Sequence, residues 1–249
     1  MRSLKPTLQY TTVREFRVHS LQAGHGFPVV LLHGLSGSFR WWRYVVPTLA
    51  EHFTVHVPEL LGFGRSRPAL RSFSIAELAA VMHEWLEIRQ LHRSHIIGHS
   101  MGAQVALHLA ASFPSLVEKM VLVSASGIPR ELSRPEALRF LTEVVPPRSW
   151  GAPLFLPRIA LDALRAGPRT LLHAARGVLS DDVSRLLPSI KVPTLVIWGA
   201  SDPLTPVTHG HRMARLLPNA RLVVLPGAAH NPMIDRPDAF SEEVLKFLS

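Results

Sequence analysis

The pentapeptide Gly98-His99-Ser100-Met101-Gly102 follows the apolar run His95-Ile96-Ile97 and precedes a helix-forming stretch, Ala103 to Ser112. A serine on a tight turn between a strand and a helix projects its hydroxyl into a crevice. Its backbone must then take an unfavourable φ/ψ pair with close neighbours on both sides, and glycine at 98 and 102 leaves that room. As a bare pattern Gly-x-Ser-x-Gly is weak. The strand before it and the helix after it make it a nucleophile elbow, and they commit this part of the chain to a strand-turn-helix unit.

The rest of the chain repeats that rhythm. Val29-Val30-Leu31-Leu32, Thr54 to Val57, Ile96-Ile97, Met120 to Val123, Thr194 to Trp198 and Leu222 to Leu225 are short apolar runs bounded by Gly, Pro or polar residues. Such runs suit strands of a sheet covered on both faces. Helix-like stretches lie between them, at about residues 40–51, 75–90, 101–112, 206–217 and 238–248. This alternation predicts an α/β fold with a mostly parallel, doubly wound sheet. The segment Thr12 to Gln22 alternates polar and apolar residues and is expected to form an antiparallel edge hairpin.

One stretch breaks the rhythm. Pro129 to Pro188 has no convincing strand and is punctuated by Pro135, Pro146, Pro147, Pro153, Pro157 and Pro168. It reads as several short helices inserted into the core as a cap or lid. The expected organisation is a core domain over 1–128 and 190–249 with a helical cap over 129–189. In open α/β sheets ligands bind beyond the carboxyl ends of the strands, so an insertion leaving from such an end covers the site. Trp150, Leu154, Phe155 and Ile159 are the cap residues expected to bind substrate, together with Trp41 of the core.

With 249 residues, 47% hydrophobic and 18% charged, the chain can bury one large core. No uninterrupted apolar run approaches the roughly 20 residues of a membrane span, and Met1 to Pro6 starts no signal-peptide segment. A cytoplasmic protein without stable membrane insertion is expected. There is no cysteine, which excludes disulfides, thiolate metal sites and a cysteine nucleophile. The formal charge of +9 comes from basic residues scattered along the chain without a dense run or aromatic interleaving, so nucleic acid is not expected as a partner. Although 14 histidines are present, no His-Glu-x-x-His or comparable cluster occurs. Neither a metal nor a cofactor is expected.

A serine hydroxyl needs a base, normally histidine, which needs a carboxylate to fix its tautomer. Among six aspartates, Asp162, Asp181 and Asp182 fall in the cap, and Asp235 and Asp238 lie beyond the last strand. Asp202 remains, at the carboxyl end of a predicted strand in Gly199-Ala200-Ser201-Asp202-Pro203. Of the downstream histidines, His209 and His211 start a helix, whereas His230 ends the loop after the final strand. The expected catalytic set is Ser100, Asp202 and His230, with the amide of Met101 at the helix N-terminus as one oxyanion donor.

The chain order Ser, Asp, His is that of the α/β-hydrolase arrangement. With Leu31-Leu32-His33-Gly34, Gly62-Phe63-Gly64-Arg65-Ser66, the elbow, Gly199 to Pro203 and Gly227 to His230 in register, the sequence resembles the α/β-hydrolase fold superfamily over essentially its whole length. The resemblance points to the esterase- and lipase-like branch with a helical cap. It implies a second oxyanion amide from Leu35, with Ser36 as its neighbour, and a structural His33 that orders this loop. It also implies hydrolysis of a small, uncharged, apolar carboxylic ester through an acyl-enzyme. Carbon-carbon bond hydrolases, lactonases and cofactor-free perhydrolases share the pattern, and a non-catalytic ligand receptor is the reading from another class. Serine at 100 argues against the haloalkane dehalogenase and epoxide hydrolase branches, which use aspartate there. The chain departs from the family at Glu59 and Leu61, where aspartate and proline are usual. A structural role bracing the loop is expected for Glu59.

Overall fold

A computed structural model describes residues 6–66, 73–129 and 155–249 of the chain. Its centre is one eight-stranded sheet, made of β1 (Thr7–Val13), β2 (Phe16–Gly24), β3 (Pro28–Leu32), β4 (Thr54–Pro58), β5 (Ser94–His99), β6 (Val117–Val123), β7 (Thr194–Gly199) and β8 (Ala220–Leu225). The order across the sheet is β1-β2-β4-β3-β5-β6-β7-β8. From β4 to β8 all neighbours are parallel, and β2 alone runs against the other strands, pairing antiparallel with both β1 and β4.

The apolar runs form strands because both faces of the sheet are covered. Successive residues in a strand point to opposite faces, so Val30, Leu32, Ile96 and Leu122 join one core, while Val29, Leu31, Ile97 and Val121 join the other. The first core lies under α2 (Ile75–Ile88), α3 (Met101–Ser112) and α6 (Val207–Leu216). The second lies under α1 (Val46–Ala50) and α8 (Pro237–Leu248). A capping box sets the start of α2: the Ser74 hydroxyl accepts from the Glu77 amide and the Glu77 carboxylate accepts from the Ser74 amide.

Two expected elements differ in detail. The helix expected over 40–51 is instead a 3-10 turn at Phe39–Trp42 followed by the short α1. Pro47 is the cause, because it lacks an N–H and its ring would clash with the carbonyl of Arg43 in a continuous helix. The edge hairpin starts earlier than Thr12, since β1 opens with residues that are largely exposed and carry little apolar signal.

Between β6 and β7, the described residues from 155 onward contain α4 (Leu156–Ala166), α5 (Pro168–Ser180) and two 3-10 turns, Val183–Arg185 and Leu187–Ser189, but no strand. Trp150 and Leu154, expected to bind substrate, lie outside the described residues. Among the described residues no helix is long and apolar enough to cross a membrane.

Candidate active site

Every parallel strand delivers a candidate group at its carboxyl end, where ligands bind in open α/β sheets. His33 to Ser38 follow β3, Glu59 to Ser66 follow β4, Ser100 follows β5, Ser124 to Ser126 follow β6, Asp202 follows β7 and His230 follows β8. Ser100 and His230, 130 positions apart in sequence, meet because the loops after β5 and β8 converge over the carboxyl ends of the sheet, although β6 and β7 lie between those strands.

Ser100 sits at φ 51, ψ −115, a conformation that costs on the order of 1–3 kcal/mol for a non-glycine residue. Its surroundings have no space to relax. A Cβ added at Gly98 would stand 2.5 Å from the Gly102 carbonyl oxygen, and one at Gly102 would stand 2.3 Å from that of Leu32. A side chain at either position would force the neighbouring backbone to shift.

The Ser100 Oγ is 3.1 Å from His230 Nε2, and His230 Nδ1 is 2.9 and 3.1 Å from the two oxygens of Asp202. A carboxylate only accepts, so Nδ1 carries the proton and Nε2 is free to accept from the serine hydroxyl. Asp202 is nearly enclosed. Burial pushes its carboxyl up, but the charge and hydrogen bond of His230 and the donors of Thr205 together hold it below the ordinary aspartate value. Those donors are the Thr205 hydroxyl at 2.7 Å and the amides of Leu204 and Thr205 at 2.9 and 3.0 Å.

Further groups near the site had no sequence signal of their own. Ser126 Oγ lies 3.2 Å from Ser100 Oγ and donates to it when the Ser100 proton points at His230. The His99 Nε2 donates to the His230 carbonyl oxygen at 2.9 Å, and its ring lies 5.0 Å from that of His230. Burial, with the neighbouring His230, brings the His99 pKa down to about 3, so it acts as a neutral spacer. The Asp235 carboxylate accepts from the Ala229 amide at 2.9 Å and fixes the loop that carries His230.

Met101 is the first residue of α3, where an amide has no partner within its own helix. The Gly34–Leu35 peptide runs beside it, close enough that a Cβ on Gly34 would be 3.1 Å from that of Ser100. His33 donates from Nδ1 to the Gly34 carbonyl at 2.8 Å and accepts at Nε2 from the Leu60 amide at 3.0 Å, tying the loop after β3 to the loop after β4. Burial lowers its pKa and keeps it neutral. Glu59 is fully buried and accepts from His19 Nδ1 at 2.9 Å, the Arg65 amide at 2.7 Å and the Phe39 amide at 3.4 Å. Burial raises its pKa, but these donors outweigh that and leave it lowered, so its charge is answered inside the loop.

Trp42 is packed in the core against Phe240, whereas Trp41 lies between His99 and Phe155 at the start of α4. The Trp41 ring is 5.9 Å from that of His99 and 6.1 Å from that of Phe155. Phe155 and Ile159 are buried in the same cluster as Trp41 and seat α4 on the core. Among the described residues no group of three His, Cys, Asp or Glu side chains could hold a metal ion.

The profile of the alpha/beta hydrolase fold family matches residues 28–176 and 165–237. The chain belongs to that family. Among its relatives is Uncharacterized protein Rv2715 of Mycobacterium tuberculosis (strain ATCC 25618 / H37Rv), 31% identical over 98% of this chain and 81% of its own. A 2-hydroxy-6-oxo-6-phenylhexa-2,4-dienoate hydrolase of Burkholderia cepacia is 27% identical over 98% of this chain and 96% of its own. The solved structure of Est816, described as an N-acyl homoserine lactone degrading enzyme, superposes with a TM-score of 0.85 at 24% identity, over 96% of this chain and 100% of that one. The family and these neighbours make the protein a hydrolase acting on a small molecule.

Proposed function

We propose that this hydrolase cleaves carboxylic esters through an acyl-enzyme on Ser100. The observation that carries the reading is the unbroken chain from Ser100 Oγ through His230 to Asp202 on a strained elbow. Ser100 Oγ attacks the ester carbonyl carbon while His230 Nε2 takes its proton. The oxyanion forms against the amides of Leu35 and Met101, whose preorganised dipoles contribute several kcal/mol to barrier lowering. The tetrahedral intermediate collapses, breaking the bond to the alcohol, and His230 returns the proton to the departing oxygen. Water then repeats both steps on the acyl-enzyme. Asp202 keeps Nδ1 protonated and balances the imidazolium that forms.

In this reading residues 129–189 are a cap over the site. Trp41, backed by Phe155 and Ile159, is its apolar wall toward substrate. A second reading, hydrolysis of a carbon-carbon bond, is favoured by the extent of the match to the Burkholderia cepacia enzyme.

Labelling with a fluorophosphonate, followed by peptide mapping, tests the nucleophile. Ser100 is expected to carry the label, and Ser100→Ala is expected to lose both labelling and turnover of p-nitrophenyl butyrate. A label on another serine overturns the assignment. Turnover of a vinylogous diketone far above that of the ester replaces the ester reading with the second one.

A further inference from the structure

A cavity of about 370 Å³ lies where the cap meets the loops after β3 and β4, lined by Arg40, Gly64, Arg65, Asp162 and Arg165. Its charges do not balance. Asp162 is buried: Oδ2 accepts from the Ser38 hydroxyl at 2.8 Å and the Trp41 indole N–H at 3.3 Å, while Oδ1 takes no hydrogen bond and faces the Arg158 guanidinium at 3.5 Å. Arg165 stands farther off, at 4.0 Å. Glu59, the other carboxylate nearby, is occupied by His19 and by the Arg65 and Phe39 amides.

Asp162 is thus one carboxylate shared by Arg158 and Arg165. Arg40 and Arg65 form no ion pair with a carboxylate among the described residues, and the Arg40 guanidinium rests on the Phe39 ring, 4.6 Å from its centroid. Burial, and next the charge of Arg158, hold Arg40 below its ordinary value, the mark of a cation short of counter-charge. Arg65 and Arg165 are exposed and Arg40 is half-buried, so all three can turn toward an anion in the cavity, and arginine's planar fork suits carboxylate and phosphate oxygens.

We propose that this cavity binds a carboxylate or phosphate group through Arg40, Arg65 and Arg165. Trp41 links it to the reaction centre, because its indole N–H holds Asp162 on the cavity side while its ring faces His99, the neighbour of Ser100. The substrate class is then an ester with an acid group at its far end, in place of the wholly uncharged ester expected from the sequence. This substrate assignment rests on the ester reading of Ser100; binding of a free anion does not.

The test compares two esters with acyl chains of the same length, p-nitrophenyl hexanoate and mono-p-nitrophenyl adipate, in the wild type and in Arg40→Gln, Arg165→Gln and Arg176→Gln. Arg176 is exposed on α5 and does not line the cavity, so it controls for net charge. The ratio of kcat/KM for adipate over hexanoate is expected to exceed one in the wild type. It should fall by roughly tenfold in the Arg40 and Arg165 variants, the loss of one charge-assisted contact, with KM carrying the change. The Arg176 variant should keep the ratio.

Calorimetric titration with inorganic phosphate separates the two sources of the anion. A flat ester ratio together with phosphate binding that is lost in Arg40→Gln assigns the cavity to a free anion. No preference for adipate and no phosphate binding overturns the proposal, as does an equal effect of all three substitutions. Loss of hexanoate turnover in Ser100→Ala is scored separately and concerns only the ester reading.

Discussion

Asp202 receives three hydrogen bonds besides that of His230, and they come from the turn that it begins itself. The Thr205 hydroxyl is the informative one, because it reaches the Asp202 carboxylate and the Ser124 carbonyl and lies 3.4 Å from His230 Nδ1. Asp202→Asn is expected to keep the fold and lower kcat by about three to four orders of magnitude, since the amide no longer fixes the imidazole tautomer. Near-wild-type rates would place the acid elsewhere. Thr205→Val should lower kcat by roughly tenfold through the lost bond to the carboxylate, with KM little changed, and Thr205→Ser should restore it. An equal loss in the serine variant would reduce Thr205 to a packing residue. Asp202 could be picked out of the sequence because it stands directly at the carboxyl end of a predicted strand, whereas Asp162, Asp181 and Asp182 fall in the stretch without strands and Asp235 and Asp238 lie farther along, beyond the last one. Thr205 and Ser126 could not, since a Thr or Ser in a loop has no pattern that distinguishes it. The same holds for the His19–Glu59 pair, whose partners come from an edge strand and a distant loop.

At the scale of elements, the short parallel strands and the helices between them were legible because β3 to β7 are buried on both faces and α2 buries one apolar face. The limits of this legibility are physical. Pro47 split a helix that apolar spacing alone suggested, and the exposed start of β1 concealed an edge strand. How α4 attaches to the core was also hidden: Asp162, a charged residue in a predicted cap, is buried on Ser38 and Trp41. The glycines of the elbow act between elements and not only within the turn. Gly102 brings α3 against the end of β3, and Gly102→Ala would force the helix off the Leu32 carbonyl. Overpacking of this kind costs about 1–3 kcal/mol, read as a lowered denaturation midpoint. Turnover should fall as well, because the Met101 amide moves with the helix. A stable and active alanine variant would show that the turn has more freedom than the contact distances allow.

For the whole molecule, the relevant quantity is how the folded and unfolded chains differ in the protons they bind. His56 and His95 are buried with pKa values lowered to about 4, each chiefly by desolvation, and His99 lies at about 3. In the unfolded chain the same rings titrate near 6.5. Between these values the unfolded state binds protons that the native state refuses, so stability falls as the pH drops below about 6.5 and the loss is complete only near pH 3–4. At mid-window each histidine costs roughly 1 kcal/mol per pH unit, and a domain of this size has only about 5–15 kcal/mol in total. Asp202 and Glu59 add to the loss at the acid end, because their lowered pKa values give stability that disappears only as the pH falls through those values. Cooperative unfolding between about pH 6 and 4 is therefore expected at room temperature, beginning above the range in which ordinary carboxylates are protonated. Circular dichroism against pH measures it. His95→Leu should move the midpoint to lower pH, since the ring is packed between Phe27 and Phe53 and its Nδ1 has no hydrogen-bond partner to lose. A stability that stays flat from pH 6.5 to 4.5, or an unmoved midpoint in the variant, would mean that these rings take up protons without unfolding.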